Sequence, residues 1–225
     1  LERHPLGKIW RENWLNKLVR GKTVTDAAYV EALYDGEIRY CDEAIGQVIE
    51  TLDRLGLAER TLLAVTSDHG EMMYRHGIFF DHHGLYEGNV HVPLLVRHPA
   101  LGPRRVRHLT AHVDLAPTLL DFCGVEAPAE MEGFSLAALM SGQRDTPLRD
   151  FIVCQECTWQ MKWGLRALDH KFILARQPDF YGTPPRELYD LREDPHEFHN
   201  LAGQQPDRAR RGGGRIPFQA AATIH

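Results

Sequence analysis

"TLLAVTSDHG", Thr61 to Gly70, sets an apolar run directly before an aspartate, a histidine and a glycine. The run is short and bounded by polar residues, the pattern of a strand buried on both faces of a parallel sheet. In open α/β sheets ligands gather at the carboxyl ends of strands, where Asp68 and His69 fall. Adjacent residues on a regular strand face opposite ways, so both reach one ion only where the chain leaves the pleat, and Gly70 makes that departure easy. A carboxylate oxygen beside an imidazole nitrogen suits calcium, magnesium, manganese or zinc. Taken alone, Asp-His-Gly is also ordinary turn chemistry. The neighbourhood decides: six of the 13 histidines, His69, His76, His82, His83, His91 and His98, lie between Asp68 and His98. Core packing does not account for such clustering in one loop system.

Upstream, "TDAAYVEALYDGEIRYCDEAIGQVIETLDRLG" spaces Val30, Leu33, Tyr34, Ile38, Cys41, Ile45, Val48, Ile49, Leu52 and Leu55 at three-or-four intervals, which predicts one long amphipathic helix. Thr25 or a near neighbour caps its start and Gly56 closes it. Gly36 and Gly46 each weaken that helix by about 1 kcal/mol relative to Ala, so a break or a close packing contact is expected at either. Downstream, "HVPLLVRHP" reads as a second buried strand, and "HVDLAPTLLDFCG" as a short helix capped by Asp114 and closed by Gly124, with Pro117 in its first turn. Beyond residue 146 the texture changes to short strands, "FIVCQ", "WGLRAL", "KFILAR" and "ELYDL", which predict a small antiparallel sheet with a hairpin link at Asp169-His170. The expected fold class is therefore α/β: a mostly parallel sheet flanked by helices over residues 1–146, an antiparallel subdomain over 147–202, and a disordered tail over 203–225.

The bulk numbers agree with a globular chain: 225 residues, 43% hydrophobic and 25% charged, with a formal net charge of −5. That balance offers no clustered basic surface, so nucleic acid is not an expected partner. No apolar run approaches the ~20 residues of a membrane-spanning helix. The chain starts at Leu1, and a piece of a longer protein is expected. Cys154 and Cys157 form one CxxC, but a zinc site wants a second such pair or matched histidines, so packing or incidental thiols is the expectation.

"LYDGEIRYCDEAIGQVIETLDRLGLAERTLLAVTSDHGE", "HHGLYEGNVHVPLLVRHP", "HVDLAPTLLDFCGV" and "ELYDLREDPHEFHNLA" follow one another in order from Tyr34 to Ala202. Together they resemble successive segments of the sulfatase family in the alkaline phosphatase superfamily. The resemblance implies an alkaline-phosphatase-like sheet, incomplete here, and a sulfuric ester hydrolase with one divalent cation, commonly Ca2+, with Mg2+ or Mn2+ as alternatives. It assigns Asp68 and His69 as metal ligands. The family places a sulfate-contacting Lys five residues before the Glu of its "KxxLYE" segment; here that position is His82, with His83 as a weaker substrate contact. Imidazole donates a hydrogen bond whether neutral or charged, so the change leaves the contact open. His76 has no family role to carry over and is read as structural. Glu87 and Tyr86 brace the loop, and His112 and Asp114 are read as capping and core support. The family nucleophile is a formylglycine made from a CxPxR or SxPxR segment, which none of the four cysteines fits, and no Asp-Asp pair precedes Tyr34. The chain therefore resembles the C-terminal half of a sulfatase, with no catalytic residue of its own and with formylglycine expected upstream. Its expected partner is a sulfate ester, small molecule or glycan. Two rivals stand beside this reading: a phosphate or phosphonate ester hydrolase of the same superfamily, and a non-catalytic remnant that binds a cation or a partner.

Overall fold

The computed structural model describes residues 5–15, 26–158, 160–178 and 181–215. It divides into two compact units, Leu1–Pro99 with Glu156–Met161 and Gln177–Thr183, and Ala100–Gln155 with Lys162–Arg176 and Pro184–His225.

In the first unit, α1 (Pro5–Trp10) runs into a π-helical turn at Arg11–Leu15, and the long predicted helix follows as α2 (Ala27–Arg54). Asp26 caps it, its carboxylate accepting the Ala28 N–H at 2.9 Å, while Thr25 lies outside the described residues. Gly56 takes φ 64° just past the end, as a left-handed closing residue should. Neither Gly36 nor Gly46 breaks the helix, and nothing lies within 4 Å of a Cβ built at either. The apolar stripe is present but uncovered: no residue of α2 is buried, and Ile38 and Val48 are each 54% exposed.

β1 (Leu63–Thr66) pairs with β2 (Leu94–Arg97), but antiparallel, with Leu63 opposite Arg97 and Thr66 opposite Leu94. The expected mostly parallel sheet is thus not found among the described residues. A parallel return needs a crossover that carries the chain back to the starting end of the first strand. Here the connection leaves the carboxyl end of β1 and re-enters at that same end, holding only the four-residue α3 (Glu87–Val90). Nor are the strands buried on both faces. Leu63, Val65, Leu94 and Val96 are half-buried, whereas Ala64, Thr66 and Leu95 are exposed. A short apolar run does not carry information about strand direction.

The connection between β1 and β2 has a core of its own, formed by Met72, Ile78, Leu85 and Tyr86, all buried. Phe80 packs with Trp10, Ala27, Val30, Met73 and Phe79, which ties the loop to α1 and α2. Reciprocal backbone bonds between Met72 and Asp81 fold it into a narrow hairpin.

In the second unit a 3-10 turn at His112–Asp114 leads into α4 (Leu115–Phe122), closed by Gly124 at φ 68°. Asp114 stands at the N-cap position, yet its side chain makes no cap to α4. The fully buried carboxylate instead accepts N–H groups of Ala111 and Phe134 at 2.8 and 2.9 Å, and both guanidinium arms of Arg149 at 2.5 and 2.6 Å. Gly133 lies so close to the turn that a Cβ there would sit 1.8 Å from the Val113 carbonyl oxygen. After α5 (Ala137–Ser141), all four predicted strands form: β3 (Phe151–Glu156), β4 (Lys162–Ala167), β5 (His170–Ala175) and β6 (Arg186–Asp190), in that order in one sheet. β4–β5 and β5–β6 are antiparallel, as expected. The pleat separates two faces. One carries Trp163, Leu165, Phe172 and Leu188 in a cluster with Ala209; the other carries Lys162, Lys171, Glu187 and Tyr189. Within the stretch expected to be disordered, Pro206–Arg215 is helical (α6), and residues from 216 onward lie outside the described residues.

Candidate functional site

The site is made where β1 ends. Gly70 leaves the strand so close to α3 that a Cβ on it would lie 2.0 Å from the Gly88 carbonyl oxygen, and its N–H donates to the Asn89 carbonyl at 2.8 Å. Gly88 in turn leaves no room for a Cβ, which would meet Met72 Sδ at 2.6 Å. Two glycines facing each other let the backbone turn tightly enough for consecutive side chains to share one side.

Asp68 Oδ2 stands 3.6 Å from His69 Nε2. The His69 N–H donates to Asp68 Oδ1 at 3.0 Å, which, with the imidazole beside it, holds the carboxyl below its usual range. His69 Nδ1 lies 2.8 Å from the Gly70 carbonyl oxygen. A carbonyl only accepts, so Nδ1 carries the proton, and in the neutral ring Nε2 presents its lone pair toward the carboxylate. Two acceptors facing each other at that distance are what a cation between them satisfies, and their chemistry fits a divalent ion.

The imidazoles of His69 and His82 stack with centroids 4.3 Å apart. His82 Nδ1 is 3.8 Å from Glu71 Oε2 and 3.7 Å from Asp81 Oδ1. His69, Glu71 and His82 each offer one ligand atom, all within 4.8 Å of one another. Burial pushes the Glu71 carboxyl up; His82 opposes this and the nearby Asp81 adds to it. A bound cation would relieve both causes. Of the four residues expected at the site, His69 is the common neighbour: Asp68 lies beside it and His82 stacks on it, while the three-residue cluster adds Glu71 and does not include Asp68. His83 is held differently: its side chain is 12% exposed, with Nδ1 3.5 Å from Glu156 and Nε2 3.5 Å from Asp81.

His76 stacks on Tyr86 at 3.7 Å within 6° of parallel, a packing role in keeping with its structural reading. Glu87 stands 3.4 Å from His91 and not at the cluster. The sequence reading passed over Glu71, Asp81 and Glu156. Glu71 stands two residues from His69 and Asp81 beside His82, a signal in the sequence; Glu156 had none. None of the four cysteines is in a disulfide.

Residues 12–125 match the family model described as Sulfatase, and residues 75–209 the one described as N-sulphoglucosamine sulphohydrolase, C-terminal. Arylsulfatase K of Xenopus laevis is 32% identical over 80% of this chain and 35% of its own length. An N-acetylglucosamine-6-O-sulfatase of Bacteroides thetaiotaomicron is 29% identical over 83% of this chain and 35% of its length. The chain thus spans about a third of the curated relatives it matches. A structure solved with its substrate D-glucosamine-2-N,6-O-disulfate superposes with a TM-score of 0.64 at 27% identity, over 77% of this chain and 36% of that one. The phosphonate monoester hydrolase of Agrobacterium radiobacter superposes with a TM-score of 0.69 at 27% identity, over 84% and 40%. With family models matched over more than half its length and the ordered segments and Asp-His turn in place, the chain belongs to the sulfatase family of the alkaline phosphatase superfamily.

Proposed function

We propose that this chain supplies the cation-holding and anion-facing part of a sulfuric ester hydrolase. The convergence of Asp68 Oδ2 and His69 Nε2 at 3.6 Å, with His82 stacked beside them, carries the reading. A divalent cation, Ca2+ foremost and Mg2+ or Mn2+ next, would supply Lewis-acid stabilisation of charge on the transferring oxygens. Asp68 and His69 hold that ion, and Glu71 stands near enough to add an oxygen. His82, half in solvent, donates to a sulfate oxygen from either protonation state. His83, enclosed by two carboxylates, supports this arrangement rather than meeting substrate directly. The formylglycine nucleophile is expected outside these 225 residues, since no CxPxR or SxPxR segment occurs in them. Relatives named for N-acetylglucosamine-6-O-sulfate and for aryl sulfates support a sulfated sugar or small sulfate ester as substrate. The phosphonate monoester hydrolase, which superposes well, favours a second reading with a phosphonate ester in the same place.

Calorimetric titration of the 225-residue chain with Ca2+, Mg2+ and Mn2+ tests the first part. One weakly bound cation is expected, because three protein ligands leave a hard ion short of the six to eight oxygens calcium prefers. Asp68→Asn, a change at an exposed side chain, is expected to weaken it by at least about tenfold. No binding of any of the three ions would remove the reading. Inorganic sulfate bound more tightly than methylphosphonate by the cation-loaded chain supports the sulfatase assignment; the reverse order supports the second reading. Turnover of an aryl sulfate by this chain alone would contradict the placement of the nucleophile elsewhere.

A further inference from the structure

The "VCQECTW" stretch draws attention to its two cysteines, but the residue that reaches the site lies between them. Glu156 is enclosed, its side chain 9% exposed, in the same compact unit as the loop that carries the histidines. Its Oε2 accepts the Gly84 N–H at 3.1 Å and lies 3.5 Å from His83 Nδ1; its Oε1 accepts the Thr158 N–H at 2.7 Å. Burial alone would raise this carboxyl, yet the Thr158 and Gly84 N–H groups outweigh it and hold it below the usual range. The far nitrogen of His83 faces Asp81 Oδ1 at 3.5 Å, and that oxygen also accepts the His82 N–H at 2.8 Å. From the other side the Asn89 amide donates to the carbonyls of His83 and Gly84. Gly84 sits at φ 97°, where a side chain would be strained and a Cβ would meet Ile78 Cδ1 at 2.9 Å. The 82–84 backbone is thus gripped at its N–H by Glu156 and at its carbonyls by Asn89, leaving His82, 52% exposed, as the group presented outward.

We propose that Glu156 is a positioning residue: through the Gly84 N–H and the His83 ring it fixes the segment that aims His82 at the bound oxyanion. The proposal rests on the reading above, in which His82 faces the anion. It assigns Glu156 no contact with the cation. Asp68 and His69 are set by their own strand end and by Gly70, so loss of Glu156 affects anion binding and leaves cation binding nearly intact.

The test uses the 225-residue chain with 15N-labelled histidine and reads three quantities: Ca2+ affinity, affinity of the Ca2+-loaded chain for inorganic sulfate, and the ring signals of His82 and His83. Removing a hydrogen-bonded charged partner corresponds to a change of about tenfold or more. Glu156→Ala is expected to weaken sulfate by about tenfold and to move both ring signals, with Ca2+ affinity changed less than about twofold. Glu156→Gln keeps one of the two acceptor oxygens and turns an amide NH2 toward the other N–H, so its sulfate affinity is expected to fall between those of the alanine variant and the parent. Should the alanine variant fail to fold, Glu156→Asp takes its place: one methylene shorter, it cannot serve Gly84, His83 and Thr158 together, and the same loss is expected. Sulfate affinity within twofold of the parent and an unmoved His82 ring, in whichever of these two variants folds, overturn the proposal. A parent chain that binds no cation defeats the functional reading instead, and the His82 ring signals still decide whether Glu156 positions it.

Discussion

The strands β4 to β6 and the elements around β1 handle polar and apolar groups in opposite ways. In the C-terminal sheet one face is an apolar cluster, and the other buries charge: Lys162 and Glu187, 3.1 Å apart, and Lys171 and Glu197, 2.9 Å apart, are all at most 2% exposed. Around β1 the balance is reversed. α2 buries no residue, Leu95 of β2 is 61% exposed, and the ionisable groups gather in the loop where solvent reaches them. Burying two charges is costly unless each is paired and further bonded, so the sheet's ion pairs hold only while packing stays close. A run of exposed apolar side chains is instead the mark of a surface that takes a cover. The same hydrophobic pattern therefore built a sealed core in one place and an open face in the other.

The sharpest way to break this contrast is to remove one charge from the sealed face. Glu187 bonds Lys162 Nζ at 3.1 Å and accepts the Tyr189 hydroxyl at 2.6 Å. Glu187→Ala leaves the buried ammonium without its carboxylate, and a loss of about 3–5 kcal/mol is expected in urea denaturation. A loss below about 1 kcal/mol would mean that the pair is solvated in solution and that the two regions do not differ as described.

Around β1 the largest effect is expected on binding rather than stability. Gly70→Ala places a methyl where only 2.0 Å separates its carbon from the Gly88 carbonyl oxygen, so strand end and α3 must part. Cation affinity should fall by about tenfold or more, while the C-terminal sheet keeps its amide spectrum. Unchanged affinity would show that the Asp-His turn does not depend on the paired glycines.

Acid separates the regions further. Burial would raise the Asp114 carboxyl, but Arg149 and the N–H groups of Phe134 and Ala111 outweigh it, so in the folded chain it lies below the ordinary range. A depressed folded value contributes stability that is fully present above the unfolded carboxylate's pKa of about 4 and disappears as pH falls through the lower folded value. Denaturation midpoints followed from pH 6 downward should drop in that window, and the drop should shrink in Asp114→Asn. An equal drop in the variant would assign acid sensitivity elsewhere.

These contrasts also mark what could be read from the chain. α2 and all four C-terminal strands were legible because periods of 3.6 and 2 are local properties. The Asp-His turn was legible because its two residues are adjacent in sequence. The strand pairing of β1 was not, since an apolar run looks alike in parallel and antiparallel sheets. Asp114 was expected as a helix cap and core support; Ala111 is a local partner, but Phe134 and Arg149 lie 20 and 35 residues away. Glu156 meets Gly84 across 72 residues, and no spacing rule points from one to the other.

The smallest expected effect tests the open face itself. Leu95 points away from the half-buried side of β2, and Ile38 stands on the uncovered stripe of α2, so neither gives up packing when replaced. Leu95→Asp and Ile38→Asp should each change unfolding free energy by no more than about 0.5 kcal/mol, against the several kcal/mol expected at Glu187. Binding of an apolar-surface dye such as ANS should nevertheless fall, because a carboxylate interrupts the exposed patch. If either substitution destabilises the chain by more than about 2 kcal/mol, that side chain is covered in solution. The contrast would then lie in what covers each region, since a leucine that costs nothing to charge is one that water already reaches.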